Sequence, residues 1–151
     1  MSLVVLLDSG PLGLASNPKA SPEATECRAW LTVLVLSRVT VAVPEICDYE
    51  VRRELLRSRK TEGVIRLDTL KSTLLYLPLT TATMLRAARF WAEARNLGRP
   101  TAEDAALDCD MILSAQASEV AEDGHDVVIA TTNVRHLRLF AQARQWREVG
   151  T

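Results

Sequence analysis

Four residues that offer oxygen ligands fall where an α/β chain gathers ligands: Asp8, Glu50, Asp110 and Asn133. Asp8 stops the apolar run Leu3–Leu7 and is followed by Ser9-Gly10-Pro11. An apolar run bounded by turn residues reads as a buried strand of a parallel sheet. Open α/β sheets place their ligand crevices beyond the carboxyl ends of such strands. Glu50 falls in the segment after the second strand, Asp110 in the helix before the strand at 126–132, and Asn133 just after that strand. Carboxylates brought to one edge repel each other and need protons or a cation. Mg²⁺ or Mn²⁺, hard cations that take carboxylate and water oxygen, suit such a set. No cysteine or histidine stands at zinc-ligand spacing, which disfavours zinc. Asp8, with Ser9, equally suits a helix cap, so the chemistry depends on whether the other acids reach the same edge.

The neighbours of these acids offer further readings. Arg53 and Arg57 follow Glu50 by three and seven residues and share its helix face. They are either phosphate ligands or half of a solvated ion-pair face worth only about a few tenths of a kcal/mol. Thr101-Ala102-Glu103-Asp104 resembles a capping box, so Asp104 reads as a helix-start residue. Asp110 shares a face with Leu107 and Ser114, and an acid on a buried face needs a partner. Asp108 faces away from Asp110 on a continuous helix; it joins the same site only if the helix starts anew there, and otherwise reads as a cap. Asn133 follows Thr131 and Thr132, where Asn forms a turn or caps a helix, or ligates a cation through its side-chain oxygen. Arg135, His136 and Arg138 follow; the arginines are phosphate candidates, and His136 reads as a loop histidine.

The elements that must position these residues alternate. Ser21-Pro22-Glu23 starts a helix that runs to about Arg38. The β-branched stretch 39–43 is a strand that Pro44 ends, opening a helix over 45–59. Residues 62–70 read as a helix, 74–79 as a third strand, and Thr80 or Thr81 caps a long helix to Asn96. The segment 101–120 is helical, in one piece or two. Residues 126–132 form the clearest strand after the first, and 146–149 reads as a last edge strand. Helices between successive strands predict a parallel sheet covered on both faces, a three-layer α/β/α sandwich.

Composition narrows the class. At 151 residues the chain suits one domain over 1–151, and 48% hydrophobic with 25% charged residues is ordinary for a globular protein. No apolar run is long enough to span a bilayer, and the N-terminus lacks the pattern of a signal peptide. Three scattered cysteines, Cys27, Cys47 and Cys109, fit a reducing cytoplasm rather than a disulfide framework. The net charge of -1 makes no case for nucleic acid, although lysine occurs only at 19, 60 and 71 and the other basic residues are arginine. Arginine's fork suits phosphate, and a GC-rich coding sequence gives the same bias. No glycine-rich dinucleotide fingerprint follows the first strand. A receiver-like reading of Asp8 lacks both a second aspartate two residues on and a lysine after the 126–132 strand.

Four stretches together resemble a known family. These are Leu6-Leu7-Asp8-Ser9, Tyr49-Glu50-Val51-Arg52-Arg53, 107–117 around Asp110, and 129–137 around Asn133. In order and spacing they are similar to the motifs of PIN-domain proteins, in particular VapC-like ribonucleases. The resemblance implies a parallel sheet of about five strands between helices, and Mg²⁺- or Mn²⁺-dependent cleavage of RNA phosphodiester bonds. It carries Asp8, Glu50 and Asp110 onto the family's acidic metal-binding positions; in a metal-assisted hydrolysis, Thr131 and Asn133 would fix the geometry around them. The family often has a fourth acid where this chain has Asn133, and an aspartate where it has His136. The missing carboxylate weakens a second metal site more than the first, unless Asp108 compensates. The resemblance further implies a homodimer and an antitoxin protein as partner; the apolar helix faces carrying Trp30 and Trp91 suit either an interface or the core. The alternative is a catalytically weak or inactive module that binds RNA or a protein.

Overall fold

The structure, a computed structural model, describes residues 2–97, 104–134 and 136–150. Five strands form one parallel sheet: β1 (Leu3–Leu7), β2 (Thr40–Pro44), β3 (Leu75–Leu77), β4 (Asp126–Thr131) and β5 (Ala143–Gln145), in the order β3-β2-β1-β4-β5. Helices α1 (Ser9–Ser16), α2 (Pro22–Leu36), α3 (Glu45–Arg57), α4 (Thr61–Thr73), α5 (Thr81–Asn96) and α6 (Asp104–Glu122) flank it. The fold is the three-layer α/β/α sandwich that the alternation of elements predicts. No described helix is long and apolar enough to cross a membrane.

β1 holds the centre of the sheet because both of its faces are covered. Val4, Val5, Leu6 and Leu7 are all buried, as an uninterrupted apolar strand requires. From β1 the chain moves outward to β2 and β3, then returns to lay β4 on the other side of β1. The strand order therefore reverses between β1 and β4, the topological switch point at which open α/β sheets form a crevice. The register aligns Leu7 with Ala130, and the Asp8 amide donates to the Ala130 carbonyl at 3.0 Å. Asp8 thus emerges beside Thr131 at the carboxyl edge.

The helix starts follow the sequence. The Ser21 side chain accepts from the Ala24 amide, with Pro22 at the first helical position. Thr80 and Thr83 close a reciprocal capping box at the start of α5. Gly10 is required where α1 leaves β1: a Cβ there would stand 2.6 Å from Thr132 Oγ1.

Three expectations need correction. The edge strand expected at 146–149 is a short 3₁₀ turn, Trp146–Glu148, and the strand lies just before it as β5. Trp146 is 1% exposed and meets Trp30 edge-on at 5.4 Å, while Trp30 Nε1 donates to the Val149 carbonyl at 3.0 Å. Burying that large indole turns the chain out of extended geometry, and Trp30, partly buried, packs against it at the rim of the core. Secondly, of the two forms open for 101–120, α6 takes the single helix over its described length, so the restart that would bring Asp108 to the site does not occur. Thirdly, only Leu75–Leu77 of the stretch 74–79 pairs with β2. The capping box at Thr101 falls mostly outside the described residues.

Candidate metal centre

Asp8 closes strand β1 and caps helix α1 at once. Its Oδ1 accepts the Ser9 amide at 2.7 Å, and its Oδ2 accepts the Thr131 hydroxyl at 2.7 Å. The cap and the functional reading of Asp8 are therefore compatible: the bonds that finish the helix also fix the carboxylate. Thr131 is fully buried, and its oxygen in turn accepts the Asn133 amide at 3.0 Å. This small turn sets the direction in which the chain leaves β4.

Glu50 and Asp110 approach from two helices, α3 and α6. Burial and the charge of Asp8 push the Glu50 carboxyl up to about 7, with Asp110 adding to the effect and Arg53 opposing it. Burial and Asp8 likewise raise Asp110 to about 6, against the pull of His136. His136 Nδ1 stands 3.3 Å from Asp110 Oδ2. Asp8 hinders the ionisation of both other acids, and Asp110 that of Glu50, so their charges share too little solvent. A divalent cation removes that conflict, so this oxygen-rich set fits one.

The remaining candidates separate. Asn133 lies at the same sheet edge and is exposed. Asp108 is exposed and lines an apolar groove of about 340 Å³ with Met84, Trp91 and Met111, between α5 and α6. Two residues along a helix turn the side chain by about 200°, so on unbroken α6 it points away from Asp110 and does not replace the missing acid. Arg53 lines a cleft of about 350 Å³ with Ser9, Asn17, Glu50 and Lys60, and its guanidinium lies over the exposed Tyr49 ring at 5.1 Å. Arg57 pairs with Glu54 rather than with Glu50, well out in solvent. Arg138 Nε donates to the Ala143 carbonyl at 3.2 Å, which ties it to the start of β5. Arg135 lies outside the described residues.

Sequence reasoning set aside two residues that the fold brings in. Cys47, one helical turn before Glu50 on α3, is fully buried, and its thiol donates to Asp8 Oδ1 across 3.7 Å. Cys109, next to Asp110, bonds to Glu50, and burial pushes its thiol up to about 11. The signal was the offset of each cysteine from an acid, three residues for Cys47 and one for Cys109, rather than a spacing between cysteines. Asp48 is also buried, but it serves the helix packing: it pairs with Arg52 at 2.9 Å and with Lys71 at 3.8 Å, joining α3 to α4.

Because Thr131 holds one oxygen of Asp8, Thr131→Val is expected to lower cation affinity roughly 10- to 100-fold, as loss of a ligand-orienting hydrogen bond does. The fold should survive, since valine keeps the shape and β-branching. Cation titration alongside circular dichroism checks this; unchanged affinity in a folded variant would show that the bond positions nothing.

No protein-family model matches the chain, and no curated protein matches it in sequence. Its fold does have solved counterparts. One is a chain in the crystal structure of VapBC2 from Rickettsia felis bound to a DNA fragment from their promoter. It shares 17% identity at a TM-score of 0.69, over 95% of this chain and 98% of that one. Another is a chain of VapBC-1 from nontypeable Haemophilus influenzae, with 16% identity at a TM-score of 0.67, over 96% of this chain and 99% of that one. The chain therefore shares its fold with chains of these VapBC complexes over nearly its whole length, as the PIN-like motifs of the sequence lead one to expect.

Proposed function

We propose that this protein is a divalent-cation-dependent ribonuclease of the VapC-like kind, the toxin of a toxin–antitoxin pair. The observation that carries the reading is that Asp8, at the carboxyl edge of the sheet, raises the carboxyls of both Glu50 and Asp110, which puts the three acids within electrostatic reach of one another. Asp8 and Asp110 hold the cation, with Glu50 completing the set. Mg²⁺ or Mn²⁺ supplies the Lewis acidity that phosphodiester hydrolysis needs. Alternatively, Glu50 would stay off the cation and orient the attacking water instead. Thr131 fixes Asp8, and Asn133 orients water at the same edge through its side-chain amide. The cleft beside Glu50, with Arg53 and Lys60 on its wall, gives the phosphate backbone a cationic approach.

Support for an antitoxin partner comes from the solved counterparts, which are VapBC structures. A homodimer and a cytoplasmic setting belong to the same reading. Cleavage of a mixed RNA pool, with Mn²⁺ and again with excess EDTA, tests it. Mn²⁺-dependent cleavage supports the reading, and cleavage that persists in EDTA overturns it.

Asn133 favours a second reading. It stands where a fourth carboxylate is expected, and Asp108 does not take its place. A PIN-like module that binds RNA without cutting it would keep the cationic cleft and lack turnover. Under either reading, Arg53→Ala is expected to weaken RNA binding in EDTA severalfold and to reduce the salt slope by about 1, as loss of one phosphate contact does. Arg138→Ala should act through the β5 edge and lower stability instead. An unchanged salt slope in Arg53→Ala would remove that residue from the phosphate path.

A further inference from the structure

We propose that Cys47 makes this centre a site for a thiophilic divalent cation such as Zn²⁺, held by Asp8, the Cys47 sulfur and Glu50. The inference rests on the same carboxylates as the proposed function but does not require RNA cleavage. One ligand atom from each of the three residues lies within 4.8 Å of the other two. A tetrahedral zinc site draws its ligand atoms to about 3.5 Å apart, so the side chains must close by about an ångström. Glu50, with its long side chain, has the reach to do most of this.

Sulfur decides which cation this set prefers. Thiolate is a poor ligand for Mg²⁺ and a strong one for Zn²⁺ or Cd²⁺, and divalent affinity in mixed sites rises toward the end of the first transition row. Asp8 would serve two overlapping sets. One is made of oxygen only, with Asp110 from α6. The other includes the sulfur of Cys47 from α3. As the cation–sulfur bond forms, the Cys47 thiol proton passes to solvent, and the site gains one negative charge against the two positive charges of the ion. A tetrahedral ion with three protein ligands keeps its fourth position for water. A thiophilic cation would then displace Mg²⁺ at far lower concentration. The other cysteines provide controls. Cys27 donates to the Pro11 carbonyl at 3.4 Å, away from the acids, and Cys109 touches Glu50 but lies outside the three-ligand set.

The test is titration of the RNA-free protein with Cd²⁺, followed by sulfur-to-cadmium charge-transfer absorption in the ultraviolet. The expected result is a band that saturates at one Cd²⁺ per chain with the intensity of a single thiolate. It should disappear in Cys47→Ser and persist in Cys27→Ser and Cys109→Ser. Because Cys47 is fully buried, Asp8→Asn provides a second variant: it leaves the thiol in place and should still weaken binding at least tenfold. No band in the wild type, or an undiminished band in folded Cys47→Ser or Asp8→Asn, would overturn the inference. A protein that shows the band and cuts no RNA loses only the nuclease reading. A Mn²⁺-dependent nuclease with no band loses only the role of Cys47.

Discussion

The cation-free protein is expected to lose about 1–2 kcal/mol of stability between roughly pH 5 and pH 8, and a divalent cation to restore it. Glu50 and Asp110 set this slope. Their folded-state values lie near 7 and 6, above the ordinary 4.5 and 3.8. An acid whose folded value is raised binds its proton more tightly when native than when unfolded. Its contribution is fully present below about pH 4 and is lost as pH rises through 6 and then 7. Partial exposure of both carboxyls and solvent screening keep the effect this modest. For a chain of this length that is roughly 2–8 °C in Tm.

Two variants isolate the effect from every other titrating group. Glu50→Gln and Asp110→Asn should each flatten the fall and raise Tm at the alkaline end in EDTA, while reducing the gain from added Mn²⁺. Thermal melts across this range, with and without Mn²⁺, are the check. A wild type that becomes more stable with rising pH, or variants with the parent's slope, would show that these acids do not share a site.

Asp8→Asn is expected to lower Mn²⁺-dependent RNA cleavage by about a hundredfold or more. Changes to residues that merely orient a ligand already cost about 10- to 100-fold, and Asp8 is the residue that both other acids face. The variant should fold. The asparagine oxygen can still accept the Ser9 amide, so the α1 cap survives, and its new NH₂ can donate to the Thr131 oxygen. Removing a charge that Glu50 and Asp110 both oppose also favours the native state in EDTA. Activity and stability should therefore move in opposite directions. A folded Asp8→Asn with the parent's cleavage rate would remove Asp8 from the chemistry.

Much of this arrangement was legible in the sequence, because β1 and β4 are uninterrupted apolar runs closed by polar residues. Their positions, and the helices between strands, define the parallel sheet and its ligand-bearing edge. The motifs around Asp8, Glu50, Asp110 and Asn133 led to the fold family that the solved counterparts bear out. What was not legible depends on packing. Nothing local distinguishes Trp146 on an edge strand from Trp146 folded into the core against Trp30. The continuity of α6, which turns Asp108 away, is fixed by how the helix packs along α5 and the sheet. Cys47 looked inert because its partner acid is 39 residues away, joined only when β2 aligns with β1. His136, read as a loop residue, reaches Asp110 through the turn after β4 for the same reason.

Asp8, Glu50 and Asp110 are proposed to form one cation-binding centre. Its most direct test is Mn²⁺ titration of the RNA-free protein followed by electron paramagnetic resonance, on the wild type, Asp8→Asn and Asp110→Asn. The expected result is saturable Mn²⁺ binding by the wild type and at least a tenfold loss of affinity in each folded variant. Wild-type protein that leaves all Mn²⁺ free, or variants that bind it as the parent does, would show that these acids hold no cation together.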